Sequence, residues 1–310
     1  MNIFDKVGLK NKIYLVLAPM AGITNGPFRL ICEELGADIC YSEMVSDKGL
    51  IYDNERTKTY LSILEAEKNV VIQVFGSEVT SVTKAAKYIN DNTRCLWVDI
   101  NSGCPVQKIV KSGSGSALMK TPDLAYEIVK SVKNKISKPV SIKIRMGWDF
   151  DNLNGVEYAK LMEKAGIDLI CVHARTRSMM YTGKAYWDFI RLVKANVSVP
   201  VFANGDIING ETAKKVLEIT NCDGLMIGRG AIGNPWIFQQ IKHFLRTGEN
   251  LPLPSVEERK IIFLKHYNLL ISLKGEIIAT KEIRAFVSGY FKGISNACFI
   301  RQKFCQAKIF

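Results

Sequence analysis

Only three histidines stand among the 310 residues, and the eight cysteines include no Cys-x-x-Cys pair, so neither a zinc site nor a disulfide framework is expected. Long apolar runs are missing too: the longest candidate, around Tyr14 to Ile23, falls short of the ~18 residues that a membrane-spanning helix requires. Met1 to Lys12 carries charges but no apolar segment before a small-residue cleavage site. These absences point to a cytoplasmic protein with reduced thiols, no resident metal and no membrane partner. Positive charge, by contrast, is plentiful. The formal net charge is +12, and half of that excess lies between residues 251 and 310, where ten basic residues meet four acidic ones. That distribution suits an anionic partner, and a solvated helical face would look the same.

At 47% hydrophobic the chain can bury one large core with an appendage. Short apolar segments alternate with helix-like ones, the pattern of a parallel sheet. Strands are expected at Leu15 to Ala18, Ile39 to Ser42, Val70 to Phe75, Leu96 to Ile100, Val140 to Arg145, Leu169 to His173, Val201 to Asn204 and Leu225 to Gly228. Helices fit between them, and three strand entries look alike: Leu35-Gly-Ala-Asp38, Ala165-Gly-Ile-Asp168 and Asn221-Cys-Asp-Gly224. Eight such units close into a (β/α)8 TIM barrel, here expected over residues 1–247. After it comes a Leu251-Pro-Leu-Pro254 linker and a small, basic, C-terminal helical domain over residues 248–310.

Side chains alternate across a strand, and alternation sorts this barrel. Val140, Ile142 and Ile144 suit the surrounding helices, which turns Ser141, Lys143 and Arg145 inward; Gln73, Asp99, Asn101, Cys171, His173 and Arg175 turn inward by the same logic, and Asn204 ends its strand similarly. Burying such groups unpaired costs several kcal/mol each. A ligand rich in donors and acceptors would satisfy them together, whereas a network of mutually bonded side chains would account for one or two. Asp99-Ile-Asn-Ser-Gly-Cys-Pro105 carries a strand into a tight turn that presents Cys104 at the barrel mouth, where a thiol can act as nucleophile or acid. Asn204-Gly-Asp206 and Gly228-Arg-Gly230, the latter before a short helix expected at Ile232, form a phosphate seat from glycine N–H groups and Arg229. Across the mouth, the irregular Ala18-Pro-Met-Ala-Gly22 turn offers an edge for a flat ring. With Gln73 and Lys143 this implies a planar phosphorylated cofactor such as FMN, because a lysine beside the ring's pyrimidine edge would stabilise the reduced anion.

The chain resembles the tRNA-dihydrouridine synthases, and among them the bacterial B-type subfamily. The matching stretches are Leu17-Ala-Pro-Met-Ala-Gly22, Ser42-Glu-Met44, Asp99 to Pro105, Lys111-Ser-Gly-Ser-Gly-Ser-Ala-Leu-Met119, Lys143-Ile-Arg-Met-Gly-Trp148, His173-Ala-Arg-Thr-Arg177, Asn204-Gly-Asp-Ile207 and Gly228-Arg-Gly-Ala231. The resemblance implies an FMN enzyme that reduces the C5–C6 double bond of uridines in tRNA, with NADPH as electron donor. Pro19, Met20 and Ala21 would line the flavin, Gln73 and Lys143 would contact its ring, and Asn204, Gly205, Asp206, Gly228 and Arg229, with His173, would hold its phosphate. Hydride would pass from reduced FMN to uracil C6 and a proton from Cys104 to C5. Asn101 would meet the uracil, and Arg175 or Arg177 nearby RNA phosphates.

A uridine inside folded tRNA must leave its stack to reach such a site, and the glycine- and serine-rich stretch from Lys111 to Met119 reads equally as a mobile lid over it or as a plain flexible connection. Two departures from the family pattern stand out. Ser102 replaces a methionine in the cysteine turn, and Ala285, Phe286 and Gly289 break the usual form of the segment Arg284 to Gly293, which puts its RNA contacts in doubt. A flavin dehydrogenase acting on a free dihydropyrimidine or dihydroorotate would share barrel, cofactor and cysteine, but has no need of a basic C-terminal module. A monomer is the favoured state, without a sequence signal that fixes it.

Overall fold

A computed structural model describes residues 2–10 and 12–307. Eight parallel strands close into one barrel in sequence order: β1 Tyr14–Leu17, β2 Ile39–Ser46, β3 Val70–Phe75, β4 Val98–Ser102, β5 Val140–Arg145, β6 Leu169–His173, β7 Val201–Asn204 and β8 Gly224–Ile227. The closing seam pairs Leu15 with Leu225 and Leu17 with Ile227. Every expected strand is present, displaced by at most two residues at its start; β2 runs longer because a register irregularity between Tyr41 and Met44 carries it on to Ser46.

Two hydrophobic layers follow from the alternation. Val140, Ile142 and Ile144 join the outer layer against the helices, with residues such as Ile128, Val132 and Met162. The inner layer is aromatic at the N-terminal end of the barrel, where Phe4, Tyr14, Tyr41, Trp97 and Phe202 fill the floor. Phe4 comes from the N-terminal helix Ile3–Lys6 and stacks on Tyr14 at 4.1 Å between ring centroids, plugging the base. Polar residues therefore face inward at the opposite, C-terminal end.

The three similar strand entries share one job. Asp38, Asp168 and Asp223 each accept the N–H of the preceding strand, from Leu15 at 2.8 Å, Val140 at 2.7 Å and Val201 at 2.7 Å. Each also meets a lysine of the outer helices: Lys242, Lys133 and Lys194 respectively. A half-buried acceptor at a strand start satisfies an N–H that the sheet leaves open, so the repeat is a register device.

Past the helix Ile237–Thr247, which ends at Gly248 in the left-handed region, come the helices Val256–Lys274, Glu276–Tyr290 and Ala297–Gln306. Their core is continuous with the barrel's: Phe263, Tyr267, Leu270, Ile283, Phe286 and Tyr290 belong to the same cluster as Phe28, Cys32 and Trp236. Phe28 sits 4.7 Å from Phe286 and Trp236 5.8 Å from Tyr290. Gly289, one of the departures from the family pattern, lies against Gly233, and a Cβ there would stand 2.1 Å from the Ile232 carbonyl. A small residue is needed for this close crossing. Among the described residues no helix is long and apolar enough to cross a membrane.

Candidate active site

A cavity of about 1200 Å3 opens at the C-terminal mouth of the barrel and reaches the helix Glu276–Tyr290. Cys104 lies half-exposed on its wall. The turn that carries it is pinned by Asn101, whose Oδ1 accepts from the N–H groups of Gly103 at 3.1 Å and Cys104 at 2.9 Å. Gly103 runs so close to β5 that a Cβ would be 3.3 Å from the Lys143 carbonyl. On the other side the Cys104 carbonyl accepts from both N–H and hydroxyl of Ser116. Burial pushes the thiol above the usual cysteine range, a rise only partly offset by the Val106 N–H and the positive Arg145 and Lys143. Cys104 is thus a protonated thiol at neutral pH, fit to donate.

The stretch expected as a lid or a flexible connection is instead part of this support. Residues Gly115–Lys120 form a 3-10 turn, Gly115, Ser116, Leu118 and Met119 are buried, and Asn154 donates to the Met119 carbonyl at 2.6 Å. Leu118 and Met119 belong to the core, which anchors the segment beneath the cysteine.

Behind Cys104 the inward amides form an ordered chain. Asn101 Nδ2 donates to Gln73 Oε1 at 2.7 Å, and Gln73 Nε2 donates to Asp99 at 2.6 Å. Gln73 and Asn101 both line the cavity, but much of their hydrogen-bonding capacity serves the wall itself. Asn101, expected to meet uracil, spends its carbonyl on the cysteine turn. Lys143 differs. Its Nζ donates to Asn204 Oδ1 at 2.9 Å and forms no ion pair among the described residues. Burial, reinforced by Arg145, lowers its pKa, while Cys171 and Asp99 oppose the shift. An ammonium so placed, partly open to the cavity, lacks an anionic partner that a ligand can supply.

The seat between β7 and β8 is built from backbone. The N–H groups of Gly205, Asp206, Gly228 and Arg229 donate to no described backbone carbonyl outside helices and strands, and all four residues face the cavity. Gly205 has φ +128°, and a Cβ would stand 2.8 Å from that of Ala185; one on Gly230 would stand 2.8 Å from the Ile207 carbonyl. Such a glycine-lined concavity of free N–H groups fits a phosphate. The short helix expected at Ile232 is a three-residue 3-10 turn, Arg229–Ala231, that ends one position before it; it is too short for a helix dipole, so the seat offers only its individual N–H groups. Asp206, expected at the phosphate, serves the cations instead: its carboxylate accepts from Arg175 at 2.7 Å, from Arg229 at 3.3 Å and from the Ala185 N–H at 2.7 Å. Pro19, Met20 and Ala21 form the facing wall, where Thr24 Oγ1 holds the Met20 N–H at 3.1 Å. A cavity of this size, lined by a glycine-rich seat and by a lysine without an ion pair among the described residues, fits FMN.

Arg175 does not stand free for RNA. It is 1% exposed, and beyond Asp206 it donates to the carbonyls of Thr182 at 3.0 Å and Gly183 at 2.7 Å, tying down the loop after β6. Its Nη1 lies 3.4 Å from His173 Nε2. Burial and four neighbouring cations hold His173 well below the usual imidazole range, so it is neutral and can act as an acceptor or donor beside the seat. Arg177 stacks over the Trp148 ring at 4.6 Å, with Nε buried and unpartnered. Two more residues stand on the wall: Arg145, read from the sequence as inward-facing but given no role, and Tyr181, which escaped that reading. Arg145 Nε donates to the Gly103 carbonyl at 2.7 Å, beside Cys104, and its guanidinium lies 5.5 Å from the Tyr181 ring; its inward place on β5 was the available signal. Tyr181 sits in an irregular loop where no periodicity marks it.

A closed parallel barrel with a thiol, a buried ammonium and a phosphate seat around one cavity defines a cofactor-dependent barrel enzyme. Solved structures share the fold at low identity. 2-Naphthoyl-CoA reductase aligns with a TM-score of 0.59 and 13% identity over 76% of this chain, which spans 50% of that one; the old yellow enzyme homologue of Zymomonas mobilis aligns at 0.54 and 13%, over 80% and 92%. The chain belongs to the dihydrouridine synthase family, whose model matches residues 16–308. It is 44% identical over 277 residues to tRNA-dihydrouridine synthase B of Pseudomonas putida, covering 89% of this chain and 82% of the relative. The namesake from Vibrio vulnificus is 42% identical over 297 residues, at 96% and 91%. These relatives agree with the B-type resemblance read from the motifs.

Proposed function

We propose that the chain is an FMN-dependent tRNA-dihydrouridine synthase acting in the cytoplasm, which reduces the C5–C6 bond of specific tRNA uridines with NADPH as donor. The observation that carries the reading is the shared cavity: Lys143 without a counter-charge, a seat of free N–H groups, and the Cys104 thiol. A flavin held there would supply hydride chemistry for uracil C6. Cys104 completes the reduction, its S–H bond breaking as C5–H forms, and the positive Lys143 and Arg145 stabilise the thiolate left behind. Lys143 also steadies negative charge on the ring, while Gly205, Asp206, Gly228 and Arg229 donate N–H groups to the phosphate and Pro19, Met20 and Ala21 close the opposite wall. Arg229, 57% exposed at the cavity wall, and Arg177, which is not among the residues lining the cavity, would meet RNA phosphates.

The test is direct. Purified protein reconstituted with FMN is given NADPH and unmodified tRNA, and dihydrouridine is measured by mass spectrometry, with free uracil as a parallel substrate. Dihydrouridine in tRNA but not in the free base is the expected result; reduction of the free base alone would replace this reading with a small-pyrimidine dehydrogenase.

A further inference from the structure

Asp99 lies on β4 beneath the cavity, fully enclosed, and lines no part of it. Its Oδ2 accepts from Gln73 Nε2 at 2.6 Å, and its Oδ1 accepts from the Ser141 hydroxyl. Ser141 in turn accepts from Trp97 Nε1 at 3.0 Å and stands 3.4 Å from the Tyr41 hydroxyl. Burial raises the pKa of Asp99 to about 6, with Ser141, Gln73 and Lys143 opposing, so the group is ionised near neutrality.

An ionised carboxylate only accepts. Gln73 must therefore point its NH2 down at Asp99 and its Oε1 at Asn101 Nδ2, 2.7 Å away. That leaves Asn101 only one useful orientation, Oδ1 toward the N–H groups of Gly103 and Cys104. Either amide can be inverted without changing shape, and each inversion sets donor against donor in this chain. Inverting Asn101 would also strip two hydrogen bonds from the cysteine turn. The direction of the series is set at both ends, by a carboxylate that only accepts and by two backbone N–H groups that only donate.

We propose that Asp99 is a positioning residue: acting through Gln73 and Asn101, its carboxylate fixes the turn that aims the Cys104 thiol at the reacting base. The inference rests on the reading of Cys104 as proton donor, and its coupling can be measured apart from that reading. Replacing the acid by its amide would loosen one of the two ends, because an amide can offer Gln73 either an oxygen or an NH2 and no longer dictates which atom Gln73 turns toward Asn101.

The test is a double-mutant cycle between Asp99→Asn and Asn101→Ala, with Gln73→Met as a third variant that cuts the link. Two readouts are taken: kcat and KM for tRNA in the loaded enzyme, and the rate of Cys104 alkylation by iodoacetamide in flavin-free protein, resolved by peptide mass. Asp99→Asn is expected to lower kcat about tenfold with KM for tRNA and flavin content unchanged, and to alter the alkylation rate at least ~threefold. Added to Asn101→Ala or to Gln73→Met, it should cost less than about twofold more. Equal factors in all backgrounds, or wild-type kcat and alkylation in Asp99→Asn, would overturn the proposal. Should Asp99→Asn fail to fold, Gln73→Met alone must reproduce the alkylation change of Asn101→Ala, and a wild-type rate there overturns the proposal as well. A wild-type protein that makes no dihydrouridine would sink the functional reading, while the alkylation cycle still decides the coupling.

Discussion

At the scale of single residues, Cys104 and Lys143 carry opposite charge logic. The thiol must hold its proton to donate it, and burial raises its pKa above the ordinary cysteine value. The donor is therefore intact through neutrality and is lost as pH rises through that elevated value, so kcat should stay flat through neutrality and fall only above the ordinary cysteine range. A pH profile that falls below neutrality on this group would contradict the role. Cys104→Ala should keep its flavin yet lose roughly 100- to 10,000-fold in kcat, the range for removing a general acid. Lys143→Met removes the unpaired ammonium while keeping the stem; its FMN affinity, followed by flavin fluorescence, is expected to drop roughly 10- to 100-fold. Both residues were legible in the sequence, since alternation along β5 turns Lys143 inward and the Asn-Ser-Gly-Cys-Pro turn singles out the thiol. The actual partners of Asn101, Asp206 and Arg175 were not, because alternation gives the direction of a side chain and says nothing of which neighbour claims its donors.

At the scale of elements, the eight strands were readable because β-branched and apolar runs repeat between helical segments, and the alternation separated an outer from an inner layer without error at β5. The short helices Asp47–Ile51, Glu55–Thr59 and Gln107–Lys111 escaped, since five residues make barely more than one turn and show no period. The misread lid has a related cause: Lys111-Ser-Gly-Ser-Gly-Ser looks flexible by composition, whereas its small residues permit close packing under Cys104. Gly115 has φ +63°, and a Cβ there would stand 2.8 Å from the Cys104 carbonyl. Gly115→Val should thus combine backbone strain with a clash, destabilising the fold by about 1–3 kcal/mol. Activity should fall further than flavin content, because the displaced carbonyl belongs to the catalytic turn. Thermal unfolding and flavin absorbance on the same preparation separate the two effects, and equal losses in both would argue against the bracing role.

At the scale of the whole molecule, the boundary drawn at residue 248 marks a change of composition, yet the hydrophobic cluster runs across it through Phe28, Trp236, Phe286 and Tyr290. A chain cut there would expose that apolar surface, so the intact protein is expected to unfold in one calorimetric transition; two resolved transitions would refute a shared core. The charge distribution is a different matter, since it was visible in composition alone and concerns the solvent face. Lys260, Lys281, Lys292 and Lys303 lie on the C-terminal helices or their connections, and exposed charges of this kind act on RNA through counterion release. The seat proposed for FMN would rely instead on N–H groups and a lysine within the cavity wall, where salt screens far less. The two affinities should therefore separate with ionic strength. If six or more phosphates are neutralised, raising salt from ~50 to ~200 mM should weaken tRNA binding by about a thousandfold or more, while FMN binding changes by less than about threefold. Charge-neutral replacement of Lys260, Lys281 and Lys303 together should flatten the salt slope for tRNA by about 3 and leave the flavin curve where it was. A slope untouched by the triple replacement would remove the C-terminal helices from the RNA interface and shift the docking charge to the barrel rim.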